Sequence, residues 1–336
     1  MAKTVNGAFA EFMSNYVNLA PQRVTVARNS RDAMFDRIAT LKDFLPLARA
    51  YNMQFGSFAR GTKIRPIDDI DLIIGLDGHD LQVVDCGSWD NYKLKLTDTS
   101  SMFKGYCDTE SYGYSYFYSP TYYLNSTKTK NAFKSALGNL HDCSKAELHS
   151  RGEAVTLKFT SYEWNFDIVP AFYATDYYLI PNGRGGWKKT NPKIDRDRVK
   201  DVNSKCNGYA LNLIRLTKYW NRRHTMATIP SYLLEVIVLN YCENNCSQFS
   251  QFVDMEFRNV LGYIYSKIYS DVPDPKGIQG NINTLTYEQK KSISQKAYTD
   301  YGKACNAINA ETQEKNHEKS INLWRDILGG YFPRYE

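Results

Sequence analysis

Residues 54–76, QFGSFARGTKIRPIDDIDLIIGL, decide how the rest of the chain is interpreted. The stretch begins with the pair Gly56-Ser57 and ends in an acidic and aliphatic run that is typical of a strand. Successive side chains of a strand point to opposite faces, so Asp69 and Asp71 share one face. Adjacent carboxylates repel each other, and a divalent cation relieves the repulsion because it binds carboxylate oxygens. Ser57 offers a hydroxyl to a phosphate on that cation, so the stretch predicts a metal and nucleotide site.

Each of these motifs has an ordinary explanation when it stands alone. Most Asp-x-Asp pairs are solvated strand ends or turn caps, and most Gly-Ser pairs are turns. A third acidic stretch, WNFDIVPAF at residues 164–172, makes the combination more specific. Its Asp167 has apolar neighbours, where a lone charge is costly, although a strand end pointing into solvent remains the alternative. Beside the other two carboxylates, Asp167 is predicted to be a third metal ligand and an acceptor for the proton of an attacking hydroxyl.

These motifs, in this order, resemble those of the polymerase-β-type nucleotidyltransferase superfamily. The chain is most similar to the branch that holds cyclic GMP-AMP synthase, oligoadenylate synthase and the cGAS/DncV-like nucleotidyltransferases (CD-NTases) of bacterial CBASS anti-phage systems. Three further stretches carry the resemblance as far as residue 235, with a weaker similarity at Asp274-Pro275. They are WKKTNP at 187–192, LIRLTKYWN at 213–221 and IPSYLLE at 229–235.

The resemblance implies an α+β fold in two lobes. Residues 1–185 are expected to form a polymerase-β-like catalytic palm, with a mixed sheet, flanking helices and a long spine helix. Residues 186–336 are expected to form a C-terminal helical lobe that completes the nucleotide cleft.

The resemblance also implies which residues bind the nucleotide. Gly56 and Ser57 would contact phosphate, Lys218 would contact the β- and γ-phosphates, and Ser231 would make a second phosphate contact. Tyr232 would stack on the donor base, an interaction worth about 1–3 kcal/mol. For the basic residues around Lys218, the sequence alone leaves a solvated helix face as the alternative, because a basic stripe on a helix is usually such a face.

The activity expected from this set is nucleotidyl transfer. Two Mg²⁺ ions about 3.5–4 Å apart, with Mn²⁺ as a substitute, would stabilise the attacking and leaving oxygens. The products would be pyrophosphate and a cyclic di- or trinucleotide second messenger for anti-phage defence. The alternatives are transfer to another acceptor (an RNA end, a protein or a small molecule) and a nucleotide-binding scaffold without activity. The three retained carboxylates argue against the scaffold.

Composition limits the partners and the compartment. The formal charge of +6 suits an enzyme of polyanionic nucleotides but does not indicate an obligatory nucleic-acid template. No stretch approaches the ~20 apolar residues of a membrane helix, and seven scattered cysteines indicate reduced thiols in the cytoplasm. The expected partners are ATP, GTP or pyrimidine NTPs, with CBASS accessory or effector proteins.

Hydrophobic spacing predicts a long helix before the acidic strands. Apolar residues recur at helical spacing from Met34 to Leu45, so residues 30–52 are predicted to be helical. Ser30 would cap this helix and Pro46 would kink or break it.

The remaining predicted elements follow the same patterns. Residues 125–148 are predicted to be a helix, residues 154–160 a strand that pairs with the Asp167 strand, and residues 180–202 a connector. Four alternating tyrosines at 112–118 predict either a structural ladder across strands or a face that stacks on a base. The C-terminal helices are predicted at residues 207–223, 231–245, 249–270, 286–309 and 315–328.

Overall fold

The computed structural model describes residues 2–41, 44–110, 120–140, 143 and 146–336. The alternating tyrosines at 112–118 lie outside these residues, so their predicted role stays a prediction. Among the described residues, no helix combines the length and apolarity that crossing a membrane requires.

The chain forms two compact units, which we name by their content. The sheet unit comprises Thr25–Ala59 and Ile67–Ile194, and the helical unit comprises Met1–Val24, Arg60–Pro66 and Asp195–Glu336. The predicted two-lobe division after residue 185 stays a prediction.

Within the described residues, eleven strands form one mixed sheet, which confirms the predicted α+β class. The strands are β1 (Met53–Phe55), β2 (Asp69–Leu76), β3 (Leu81–Ser88), β4 (Asn91–Leu96), β5 (Cys107–Glu110), β6 (Thr121–Leu124), β7 (Glu147–Arg151), β8 (Ala154–Lys158), β9 (Asn165–Ala174), β10 (Tyr177–Pro181) and β11 (Trp187–Thr190).

The sheet is organised around the parallel pair β2 and β9. The main path runs β1-β2-β9-β10-β11-β4-β6-β5, while β3 pairs with β4, and β7 pairs with β8. On the side away from β2, the first half of β9 pairs with β8 and the end of β9 pairs with β10. Beyond their acidic residues, β2 and β9 are almost continuously apolar and buried, as expected of strands covered on both faces.

Ten α-helices occur in the described residues, together with four shorter helical turns. The helices are α1 (Val5–Phe12), α2 (Pro21–Ile38), α3 (Gly56–Ala59), α4 (Ser126–Gly138), α5 (Pro192–Lys205), α6 (Ala210–Asn221), α7 (Ser231–Asn245), α8 (Val253–Lys267), α9 (Tyr287–Thr312) and α10 (His317–Leu328). The turns are a π-helical turn at Met13–Val17 and 3-10 turns at Arg49–Tyr51, Met102–Tyr106 and Cys246–Gln248.

The helical unit packs around large side chains that are almost fully buried, among them Trp220, Trp324 and Phe332. The five predicted C-terminal helices are confirmed as α6 to α10, with ends that differ by a few residues at most positions. α1, which the sequence patterns did not reveal, contributes Phe9 and Phe12 to the same core.

The predicted helix at 30–52 is wrong in both boundaries. α2 begins at Pro21 and ends at Ile38, because proline is favoured in the first turn of a helix. Ser30 is buried inside the helix rather than at its cap, and its hydroxyl accepts a hydrogen bond from Trp164 Nε1 at 3.2 Å. The apolar spacing continues past Ile38, but Leu45 is buried outside any helix.

Two other predicted segments also differ from the structure. α4 is shorter than the helix predicted at 125–148, because it ends at Gly138 and the chain then forms β7. Residues 180–202 are not a connector, since they contain the end of β10, β11 and most of α5. Their glycines belong to the turn between β10 and β11, where Gly183 and Gly185 have φ of +80° and +91°. The predicted strand at 154–160, by contrast, is confirmed as β8 beside β9.

Candidate active site

Three carboxylates converge on one face of the sheet. Asp69, Asp71 and Asp167 each offer an oxygen atom, and these atoms lie within 4.8 Å of one another. Asp71 and Asp167 are direct partners in the parallel register of β2 and β9. Asp69 lies two residues earlier on β2, and therefore on the same face. The structure thus brings together the three acidic residues that the sequence singled out.

A threonine that the sequence analysis missed orients the third carboxylate. Thr156 on β8 is the antiparallel partner of Asp167, and its Oγ1 donates a hydrogen bond to Asp167 Oδ1 at 2.6 Å. The signal was available, because β8 was predicted to pair with this strand. Counting residues across that pairing would have placed a hydroxyl beside the acid.

The triad has the donor chemistry of a site for hard divalent cations. All its ligand atoms are carboxylate oxygens, which suit Mg²⁺ or Mn²⁺ better than softer metals. All three side chains are half-buried, so their mutual repulsion is only partly screened by water. The residues present therefore fit a bound cation.

Position 56 requires a glycine because the backbone there lies against the Asp71 side chain. Its φ is +73°, and a Cβ built at this position would lie 1.7 Å from Asp71 Oδ2. The pairing of Phe55 with Asp71 across β1 and β2 imposes this close approach. Ser57 follows in the short helix α3, so the Gly-Ser pair adjoins the triad within the sheet unit.

Lys218, on α6 of the helical unit, is buried in an ion network. Its Nζ lies 2.7 Å from Glu235 Oε2 and 3.2 Å from Thr62 Oγ1. Arg60 Nε lies 2.5 Å from Glu235 Oε1, and the Thr62 hydroxyl donates to Glu235 Oε2 at 2.7 Å. We call these four residues the Lys218 cluster. Sequence reasoning missed the other three members, although Glu235 closes the quoted IPSYLLE stretch.

The Lys218 cluster carries an excess of positive charge. Burial by itself would raise the pKa of Glu235, but the charges of Lys218 and Arg60 outweigh burial and lower that pKa to about 2. Burial lowers the pKa of Lys218, an effect that the Glu235 charge opposes. One carboxylate thus faces two cations, and the remaining positive charge favours an anionic ligand.

Ser231 and Tyr232, the remaining predicted contacts, begin α7 in the helical unit. Ser231 is exposed, whereas the Tyr232 hydroxyl donates to Asp195 Oδ1 at 2.7 Å and lies 3.1 Å from Asp274 Oδ1. Lys276 Nζ lies 4.2 Å from the centre of the Tyr232 ring. Burial and the two carboxylates raise the pKa of Tyr232. The phosphate and base contacts of these residues stay predictions.

The Lys218 cluster predicts a large stability effect at Glu235. We expect Glu235→Gln to lower the free energy of unfolding by about 3–5 kcal/mol, because it leaves Arg60 and Lys218 buried without a counter-charge. Urea unfolding followed by circular dichroism at pH 7 measures this. The control is Glu243→Gln, which removes a partly exposed partner of Arg198 and should cost less than about 1 kcal/mol. Equal losses of unfolding free energy in Glu235→Gln and Glu243→Gln would show that Glu235 is not the counter-charge of a buried network.

The same carboxylate predicts a pH dependence. The pKa of Glu235 is about 2 in the folded protein, below its ordinary value of 4.5. Its stabilisation is therefore complete above pH 4.5 and is lost as the pH falls towards 2. We expect the stability difference between the wild type and Glu235→Gln to shrink across this window in acid unfolding curves. A difference that is constant with pH would show that the charge of Glu235 is not responsible.

Known proteins resemble this chain along its full length. Residues 3–115 match the SMODS family, the Second Messenger Oligonucleotide or Dinucleotide Synthetase domain. A probable cyclic nucleotide synthase of Bacillus cereus (strain VD146) is 36% identical over 350 aligned residues, which cover 100% of both chains. A cyclic AMP-AMP-AMP synthase of Acinetobacter sp. (strain ATCC 27244 / 9458) is 29% identical over 206 residues, 58% of each chain.

Solved structures of E. coli MS115-1 CdnC share the fold at 18% sequence identity. The structure with ATP has a TM-score of 0.67 and covers 97% of this chain and 98% of CdnC. The structure of the complex with HORMA-deltaN has a TM-score of 0.66 and covers 97% of both. Because the Bacillus relative is matched along its entire length, this chain belongs to the CD-NTase family of nucleotidyltransferases.

Proposed function

We propose that this enzyme condenses NTPs into a cyclic di- or trinucleotide second messenger and releases pyrophosphate. The observation that carries the proposal is the convergence of Asp69, Asp71 and Asp167 within 4.8 Å. The full-length similarity to a probable cyclic nucleotide synthase supports a cyclic product over transfer to an RNA end, a protein or a small molecule. The Acinetobacter relative, a cyclic AMP-AMP-AMP synthase, supports a trinucleotide that contains adenine.

Asp69 and Asp71 would hold two divalent cations, and Asp167 would complete the site of one of them. When bound, Mg²⁺ or Mn²⁺ lowers the pKa of the attacking hydroxyl and stabilises charge on the attacking and leaving oxygens. The chain's contribution is to hold three acidic groups in place before substrate arrives. The β2 and β9 pairing supplies this rigidity, since both strands are buried beyond their acidic ends.

Asp167 would also accept the proton of the attacking sugar hydroxyl. The hydroxyl oxygen forms a bond to the α-phosphorus, the bond to the departing pyrophosphate breaks, and the proton moves to the carboxylate. Thr156 donates to Asp167 Oδ1 at 2.6 Å, so the orientation of this carboxylate is set by a neighbouring strand rather than by the ligand. A second transfer on the linear intermediate closes the ring.

The helical unit would bind the part of the substrate that leaves. Lys218 would contact the β- and γ-phosphates, helped by the excess positive charge of its cluster. Ser57 and Ser231 would contribute hydroxyls to phosphate, and Tyr232 would stack on the donor base. Phosphoryl transfer leaves little covalent chemistry to the protein, so positioning and charge account for these roles.

We further propose a role in CBASS anti-phage defence, with accessory or effector proteins as partners. The structure of E. coli MS115-1 CdnC in complex with HORMA-deltaN supports a partner of this kind for the present chain.

Removing negative charge from the acidic triad is expected to abolish activity. We expect Asp69→Asn combined with Asp71→Asn to abolish product, because the cation ligands are lost, while the melting temperature stays equal or rises as repulsion is relieved. NTP mixtures incubated with Mg²⁺ or Mn²⁺ and analysed by thin-layer chromatography and mass spectrometry test this. The matched control is Asp68→Asn, the exposed neighbour on the same segment, which should retain activity.

The product assay also separates the rival functions. A phosphatase-resistant cyclic product supports the proposal. Pyrophosphate without such a product supports another acceptor, and no turnover with any NTP mixture indicates a required activator or a scaffold.

Gly56 provides a test of the geometry that does not remove a ligand. We expect Gly56→Ala to lower the rate at least ~100-fold, because the new Cβ displaces the Asp71 carboxylate and misplacement of about 1 Å has costs of this size. Electron paramagnetic resonance of bound Mn²⁺ should show weaker binding. Gly105→Ala is the control, since a Cβ added there meets no atom of the described residues within 4 Å. Wild-type rates for both variants would rule out the contact as a requirement.

A further inference from the structure

A cavity with a basic wall lies within the helical unit. It has a volume of about 600 Å³, within the range of small-molecule sites. Arg65, Arg222 and Arg223 line it, together with three tyrosines, and none of the described residues that line it is acidic. It shares no residue with the acidic triad or the Lys218 cluster.

Two of the arginines are held in place by backbone carbonyl groups. Arg65 donates from Nε to Asn18 O and from Nη2 to Ser14 O, the latter at 2.8 Å. Arg222 donates from Nη1 to Arg65 O at 2.7 Å. None of these three hydrogen bonds neutralises charge, because the acceptors are uncharged. The two guanidinium groups therefore bring their positive charge to the cavity wall.

Arg223 has a buried donor that is left unsatisfied. Its Nη1 is buried and has no hydrogen-bond partner among the described residues. Its guanidinium lies against Gly329, where φ is +94° and a Cβ would come within 3.0 Å of Nε. Arginine stays charged in proteins, and a buried donor without an acceptor is costly, more so when it is charged.

Tyrosine rings complete the wall of the cavity. Tyr16, Tyr219 and Tyr331 line the cavity with the arginines. Burial raises the pKa of Tyr219, and the charges of Arg223 and Arg222 oppose this effect. The Tyr16 and Tyr331 rings lie 5.1 Å apart at 33°, and Tyr331 is 67% exposed. Tyr16 belongs to the π-helical turn at Met13–Val17, a rare geometry that is frequent at functional sites.

We propose that this cavity binds a nucleoside monophosphate or a closely similar phosphate ester with a planar ring. Guanidinium groups bind phosphate oxygens in a bidentate manner. The exposed tyrosine rings offer a surface on which a flat base stacks. The cavity wall carries three cations, and no carboxylate occurs among the described residues that line it. This charge favours a ligand with more than one negative oxygen.

Calorimetric titration of AMP into the full-length chain tests this site. The titration uses the Asp69→Asn and Asp71→Asn background with EDTA, which suppresses binding that depends on cations at the triad. We expect saturable binding, at least tenfold weaker in Arg223→Met. Arg196→Met is the control, because Arg196 is exposed and paired with Asp197, and it should bind as the background does. Equal AMP affinity in Arg223→Met and Arg196→Met would overturn the proposal.

Further variants distinguish a nucleotide site from a simple phosphate site, and a loss of binding from a loss of folding. Tyr331→Ala changes an exposed ring, so it should weaken AMP at least fivefold and leave inorganic phosphate unchanged. If phosphate binds as tightly as AMP and Tyr331→Ala affects neither, the cavity is a simple phosphate site and the nucleotide assignment is wrong. Absence of AMP binding up to about 1 mM would also overturn it. Arg222→Met repeats the test if Arg223→Met does not fold.

Discussion

The parallel pairing of β2 with β9 is the constraint on which the rest of the structure depends. Its register sets Asp71 directly beside Asp167, an arrangement of like charges that opposes folding. The same strands continue into Ile70, Leu72 and Ile168, all completely buried. Burial of these side chains stabilises the pairing by about 1.5–3 kcal/mol each relative to exposure, so the acidic face is held by the apolar remainder of the same two strands.

Each of the two units contains a cluster of charged side chains in which one sign of charge is in excess. The sheet unit gathers three carboxylates, and the Lys218 cluster of the helical unit sets two cations against Glu235. Considered separately, the carboxylates suit cations and the basic cluster suits an anion. Local arrangements that disfavour the folded state are expected at functional sites. The unsatisfied guanidinium of Arg223 is a third case, in a separate cavity.

A hydrogen bond from a neighbouring strand and a close backbone approach help to set the geometry of the triad. Thr156 fixes one oxygen of Asp167, and the absence of a side chain at Gly56 leaves room for Asp71. These supporting groups are not metal ligands themselves. They nevertheless hold the carboxylates in place without a ligand, which is how a rigid scaffold preorganises a site.

The sequence by itself determined the acidic residues, the Gly-Ser pair and the C-terminal helices, because strand alternation and helical spacing are local properties. It misplaced α2 and the β10-β11 hairpin, since apolar spacing does not show where the backbone turns. Only the tertiary structure decided that Thr156 binds Asp167, that Lys218 faces Glu235, and that Arg223 Nη1 finds no acceptor among the described residues. These arrangements join residues from different elements, so they depend on which faces meet when the chain folds.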